Sequence, residues 1–228
     1  MKPYTIAIDG PAGAGKSTVA RLLATRLGYL YVDSGAMYRA VGLKVHETGT
    51  DPGDSDAVSA IARTVRITFA PGDTDYTEQR VFLDGTDISG AIRTPEIASL
   101  ASVVSAVPGV RTALVASQQS LGTQGGVVME GRDIGTVVFP HAELKVFLTA
   151  SADERASRRH RDILARGGDA TLEAVRTDQD VRDARDSGRA VSPLTVAPDA
   201  VEIVSDGKDP ETIVSEIVRL LDTERSGA

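Results

Sequence analysis

The sequence predicts an α/β fold: a parallel core sheet with helices on both faces, an insertion holding a small antiparallel sheet, and an arginine-rich pair of helices. Three observations predict it. Short apolar runs alternate with helical stripes along the chain, the pattern of a parallel sheet built from strand–helix units. One stretch, residues 65–88, breaks that alternation with two β-type runs around the turn APGDTD. Nine of the twenty arginines lie between Arg155 and Arg189.

The elements follow in order. Tyr4–Ile8 (YTIAI) is a buried strand ended by Asp9-Gly10-Pro11. Ser17–Leu27 carries a helical apolar stripe and stops at Gly28. Tyr29–Val32 is a second strand, ending at Asp33-Ser34-Gly35, and residues 36–48 and 54–63 are helices around TGTDPGD. Val65–Phe69, Val81–Leu83 and the stretch through Asp84-Gly85 to Ile88 form the antiparallel excursion. Residues 94–106 and 108–121 are helical, and Val127–Met129 and Leu144–Leu148 are core strands. Residues 152–166 and 171–184 are the arginine-rich helices, separated by GGD. Ala200–Val204 is a last strand, Pro210–Leu221 a last amphipathic helix, and the tail TERSGA is expected to fray.

The chain has 228 residues, 41% hydrophobic and 25% charged, ordinary for a globular protein. It has no cysteine and three scattered histidines, which excludes a disulfide framework and disfavours a zinc site. The first ten residues read as a strand and not a signal peptide, and no run approaches the ~18 apolar residues of a membrane span. The expected setting is the cytoplasm, with no membrane partner. A net charge of −7 argues against a nucleic-acid surface. A local arginine cluster on an acidic chain suits a small, highly anionic ligand, because arginine binds phosphate bidentately.

The strongest local signal is Gly10-Pro11-Ala12-Gly13-Ala14-Gly15-Lys16-Ser17, which fits G-x-x-x-x-G-K-[ST] between a strand and a helix. Its glycines let successive N–H groups turn inward around an anion. The helix that continues through Thr18 points its positive end at the same place. Lys16 reaches the β- and γ-phosphates, and the Ser17 hydroxyl is a ligand for Mg²⁺. The fold class is therefore a three-layer P-loop fold that binds a nucleoside triphosphate.

Two function classes compete. A GTP-driven switch needs an Asn-Lys-x-Asp to read guanine, and the chain contains no asparagine. Asp87–Gly90 (DISG) imitates a switch motif but lies in the antiparallel excursion and reads as a turn. A nucleotide-gated interaction module leaves the arginines unexplained. A kinase needs cations from several directions and a lid over the reacting phosphates. Arg39, Arg132, Arg182, Arg185 and Arg189 are such candidates, although Arg182, Asp186 and Arg189, spaced i, i+4 and i+7, also suit a salt-bridged helix face.

DSGAMYR (Asp33–Arg39), IRTPEI (Ile92–Ile97), PGVRTAL (Pro108–Leu114), EGRDIGTVVFP (Glu130–Pro140) and RDARDSGRAVSPL (Arg182–Leu194) together resemble the signature blocks of the bacterial cytidylate kinases. The resemblance runs in order from the phosphate loop to Leu194. It implies transfer of the γ-phosphoryl of ATP·Mg²⁺ to CMP or dCMP by a chain expected to be a monomer. Arg39, Arg132 and Arg182 would hold the phosphate of CMP, and Asp186 with Arg182 the sugar hydroxyls. Ser102, Arg111 and Asp133 would read cytosine, Arg189 would complete the acceptor site, and Ser34 and Tyr38 would line it. Lys16, Arg132, Arg182 and Arg189 would be catalytic. Arg158 and Arg159 would reach over ATP from the lid. Glu130 stands where the family often has Asp, so that it or Asp33 would assist Mg²⁺ through water. The implied division is a core of 1–35, 106–154 and 190–228, a monophosphate-binding insertion of 36–105, and a lid and acceptor segment of 155–189. A UMP or dTMP kinase remains the runner-up, and a small-metabolite kinase of shikimate or gluconate type a more distant one.

Overall fold

A computed structural model describes residues 3–70, 72, 79–165 and 167–227. Eight strands and eight α-helices are seen among them, with a 3₁₀ turn at Ala91–Arg93 and a π-helical turn at Ile134–Val138. β1 (Thr5–Asp9) leads through the phosphate loop into α1 (Lys16–Leu27) and β2 (Leu30–Asp33). α2 (Ser34–Glu47), α3 (Ser55–Thr64), β3 (Ile67–Ala70), β4 (Arg80–Leu83), β5 (Thr86–Asp87) and α4 (Pro95–Val104) build the insertion. α5 (Pro108–Leu121), β6 (Val127–Gly131) and β7 (Leu144–Thr149) return to the core. α6 (Ala152–Ala165), α7 (Leu172–Ser187), β8 (Val201–Val204) and α8 (Pro210–Gly227) complete the chain.

The core sheet is parallel, in the order β2-β6-β1-β7-β8. Burial of the strands matches that order. β1 and β6 are buried at every position, whereas the sheet edges β2 and β8 keep exposed residues such as Leu30 and Val204. α1 and α8 cover one face through Val19, Leu23, Ile213, Ile217 and Leu221. The π-turn and α5 cover the other, where Ile134 and Val138 meet Ala7, Val32 and Met129. β3, β4 and β5 form the small antiparallel sheet, as expected. A second core joins α2, α3 and α4 to Val107, Val110 and Leu114 at the start of α5.

Helix ends follow local chemistry. Asp33 caps α2, accepting from Ala36 N at 3.0 Å, and Thr94 caps α4 ahead of Pro95 at the first helical position. Asp87 accepts from Ser89 N at 2.9 Å, so DISG is a side-chain-closed turn. The expected turn APGDTD lies mostly outside the described residues.

One expectation is corrected. The tail does not end α8 at Leu221, because the helix runs on to Gly227, with Thr223 bonding back to Arg219 O at 3.0 Å. Residues 134–138 (IGTVV), to which the sequence assigned no element, form a π-turn. Its start is held by Asp9, whose two carboxylate oxygens accept from Ile134 N at 2.8 Å and Gly135 N at 2.7 Å.

Candidate active site

In a parallel sheet, ligands collect beyond the carboxyl ends of the strands. Register places three carboxylates there. Asp9 lies beside Gly131 and Asp33 beside Glu130, so the ends of β1, β6 and β2 form one ledge. The phosphate loop rises from this ledge. Gly10 has φ 146°, and a Cβ there would stand 2.0 Å from Leu148 O, so the loop can leave β1 only through glycine. Lys16 folds back over the loop and donates to Pro11 O at 2.7 Å.

Lys16 is only 5% exposed. Burial, reinforced by the Arg132 guanidinium, pushes its ammonium down to about 7. Arg182 is pushed down to about 10 by burial and by Arg132, with Arg39 and Arg159 adding to it. These cations come from the phosphate loop, α2, the end of β6, α6 and α7, and each raises the cost of charging its neighbours. A cluster of this kind is a site for an anion of several charges.

The candidate acceptor residues are joined by carboxylates. Asp186 is 1% exposed and accepts from Arg132 Nε at 2.8 Å and from Arg189. Burial opposes its ionisation, but Arg132 and Arg189 hold its carboxyl below the usual range. The i, i+3 pair of the salt-bridged alternative therefore exists, yet it is buried in the site. Arg39 donates to Asp33 at 2.6 Å, and this pair, too, is mostly buried. Burial pushes Asp33 up, but Arg39 outweighs it and holds the carboxyl low.

The base-reading candidates form a separate nest. Arg111 and Asp133 make a buried ion pair. The Arg111 guanidinium lies 5.6 Å from the centre of the Tyr38 ring and donates to Ser105 O at 3.3 Å. Gly131 and Gly135 do not supply a left-handed turn, as neither is among the glycines of positive φ. Gly131 supplies space, since a Cβ would meet Ser34 Oγ at 2.5 Å. Ser34 itself donates to Glu130 O at 2.7 Å, tying α2 to β6. Ser102 accepts from Arg185 at 2.7 Å, so α7 reaches the insertion directly.

Burial and the nearby Asp33 raise the Glu130 carboxyl, which accepts from Tyr31 Oη at 2.8 Å. The exposed Ser17 and Thr18 begin the helix beside it. Ser17, Asp33 and Glu130 offer oxygen donors only, which suits a hard cation such as Mg²⁺.

The lid candidates separate. Arg158 donates to Glu154 at 2.8 Å, to Ser205 Oγ at 2.9 Å and to Ser205 O at 2.8 Å, bridging α6 to the loop after β8. Arg159 is exposed, and its charge is among those that push Arg182 down. Asp9, Tyr31 and Ser105 escaped the sequence reading, and Arg185, read there as a candidate cation, instead reaches Ser102. Ser105 accepts from Arg189 Nη2 at 3.1 Å, so one residue supports both Arg111 and Arg189. Only Asp9, a carboxylate directly before a glycine-rich loop, carried a readable signal.

The junction of α6 and α7 is mostly exposed, whereas Arg155 at the start of α6 is buried. Residues 159–171 should therefore exchange amide hydrogens quickly in the free protein and slowly with CMP and a non-hydrolysable ATP analogue bound. The first turn of α6 should be protected in both. Equal exchange with and without ligands would exclude a closing lid.

The family model for cytidylate kinase matches residues 6–223. A cytidylate kinase of Limosilactobacillus reuteri (strain DSM 20016) is 48% identical over 221 residues, 96% of either chain. One from Exiguobacterium sibiricum is 47% identical over 220 residues, 96% of this chain and 97% of that one. Among solved structures, an uncharacterized protein from Eubacterium ventriosum is 12% identical with a TM-score of 0.54, covering 97% of this chain and 99% of its own, a likeness of fold alone. With its signature blocks converging on one ledge and the family model spanning nearly its whole length, the chain belongs to the cytidylate kinase family.

Proposed function

We propose that the protein transfers the γ-phosphoryl group of ATP to CMP or dCMP, giving CDP or dCDP and ADP. The observation that carries this reading is the convergence of Lys16, Arg39, Arg132 and Arg182 beside the buried Arg111–Asp133 pair. The cations suit two phosphates brought together. The ion pair offers a donor and an acceptor to one base.

In this reading the backbone of Gly10–Thr18 and Lys16 hold the phosphates of ATP, and Arg158 and Arg159 lie over them. Arg39, Arg132 and Arg182 hold the phosphate of CMP, while Asp186 takes its sugar hydroxyls. An acceptor phosphate oxygen forms the new bond to the γ-phosphorus as the bond to the β–γ bridging oxygen breaks. A phosphate oxygen is already anionic, so no general base is required. Positioning and charge neutralisation by Lys16, Arg132, Arg182 and Arg189 supply the catalysis. Mg²⁺, held by Ser17 with water-mediated help from Asp33 or Glu130, would neutralise phosphate charge. A net charge of −7 disfavours a nucleic-acid partner.

A panel of CMP, dCMP, UMP, dTMP, shikimate and gluconate with ATP, scored by ADP release, tests the reading. Turnover is expected with CMP and dCMP. Preference for UMP, dTMP or a non-nucleotide acceptor would overturn it.

A further inference from the structure

α7 carries Arg182 and Asp186, with Arg189 just beyond its end, and something must set its distance from the phosphate loop. Two side chains outside the proposed substrate contacts do so. Arg155, buried at the start of α6, donates from Nη1 to Ala12 O of the loop at 3.0 Å and from Nε to Ala150 O at 3.2 Å. The same Nη1 lies 2.5 Å from Asp183 Oδ2 on α7. The other oxygen of Asp183 faces Ala12 N at 3.5 Å. Residue 12 of the loop is thus engaged at its carbonyl by Arg155 and at its N–H by Asp183. Gln179, one turn earlier on α7, donates to Arg155 O at 3.3 Å.

The approach is as close as the chain permits. A Cβ on Gly13 would stand 2.8 Å from Gln179 Nε2 and 3.0 Å from Arg155 O. Asp183 follows Arg182 directly and precedes Asp186 by three residues, so fixing Asp183 fixes the rotation and height of the helix face that presents both. Neither member of the Arg155–Asp183 pair is needed to bind substrate in the reading above.

We propose that Arg155 and Asp183 are a positioning pair that docks α7 on Ala12 of the phosphate loop, so that ordering of the loop by triphosphate is transmitted to the acceptor residues on α7. This rests on the proposed kinase reading. Phosphates drawn into the nest set the direction of the Ala12 peptide. That peptide sets Arg155 and Asp183, and they set Arg182 and Asp186. A nucleoside triphosphate and a nucleoside monophosphate then favour each other's binding reciprocally, with no contact between the pair and either ligand.

Calorimetric titration of CMP, with and without a saturating non-hydrolysable ATP analogue and Mg²⁺, tests this. The unaltered protein should bind CMP more tightly with the analogue, within the roughly 5- to 150-fold range usual for coupled sites. Asp183→Asn and Arg155→Lys should bring that ratio to within about 2-fold of unity while moving the CMP Kd without analogue by less than about 3-fold. The double variant should match either single one, since the two act as a unit. Melting curves establish that each variant is folded. Asp183→Asn is close in shape to the original, and Arg155→Lys keeps one donor for Ala12 O. Wild-type coupling in both variants would overturn the proposal. So would equal loss of CMP affinity with and without the analogue, which marks a merely structural role. CMP binding that is unaffected by the analogue in the unaltered protein overturns the coupling and leaves the kinase reading standing. No CMP binding at all overturns both.

Discussion

Lys16→Ala should lower kcat by about 10²- to 10³-fold, the range found when one charge-stabilising donor is removed from a transition state, and should at the same time stabilise the ligand-free protein. The two effects share a cause. Lys16 is buried beside Arg132 and Arg182, and its ammonium is pushed down to about 7. Because the folded pKa lies below the unfolded value, the unfolded chain binds more protons between about 7 and 10.5. The contribution of Lys16 to stability therefore rises with pH across that window and is least favourable below it. Alanine removes the burden, so the variant's gain in melting temperature should be full below about pH 7 and shrink towards pH 10. With ATP the order should reverse, because the triphosphate supplies the missing counter-charge only to lysine. Near-normal turnover in the folded variant would end the kinase reading. A pH-independent gain in melting temperature would show that Lys16 is not charge-burdened.

The sheet was legible because its signals are local. The middle of β1 (Ile6–Ile8) and the start of β6 (Val127–Met129) are unbroken apolar runs, and the loop between β1 and α1 carries its glycines and lysine in one run. The π-turn was not legible. Four of the five residues of Ile134–Val138 are β-branched, and what turns the segment is Asp9, 125 residues away in the chain. The end of α8 was misjudged because a polar, glycine-containing tail suggests fraying, yet most residues of DTERSG tolerate a helix and the segment continues one already formed. At the site, the residue types were legible and their partners were not. Arg158 and Arg159 are adjacent in sequence, but one bridges to Ser205 and the other is exposed, a difference that depends on where α6 sits. Arg39 was read as a cation for phosphate and Arg189 as part of the acceptor site, and in the free protein each already holds a carboxylate, Asp33 and Asp186. That pairing keeps them oriented before any ligand arrives.

Asp133→Asn should relax the choice between CMP and UMP by roughly 1–3 kcal/mol in kcat/KM, about 5- to 150-fold, mostly through lost CMP activity. Cytosine presents an amino donor and a ring acceptor where uracil presents a carbonyl and an N–H. A carboxylate accepts from the amino group, as aspartate does with cytosine in nucleic acids, and Arg111 donates to the ring nitrogen or the 2-carbonyl. In the free protein Asp133 and Arg111 already bind each other, at 6% and 3% side-chain exposure. A mismatched base therefore does not leave both charges unpaired, and discrimination should fall below the largest ratios seen where a site's polar groups are wholly stranded. The same pairing makes Asp133→Ala a poor test, because it strands a buried Arg111 guanidinium with Ser105 O and the Tyr38 ring as its remaining neighbours, a loss of about 3–5 kcal/mol in stability for a broken buried pair. Asparagine keeps the shape and one acceptor, and its amide can rotate to present either an acceptor or a donor to the base. Arg132→Ala supplies the control, since in the proposed reading Arg132 holds the phosphate common to both substrates, and the change should lower both activities alike. If Asp133→Asn lowers CMP and UMP turnover by one factor, Asp133 only holds Arg111 in place, and the reading of cytosine must lie with other residues.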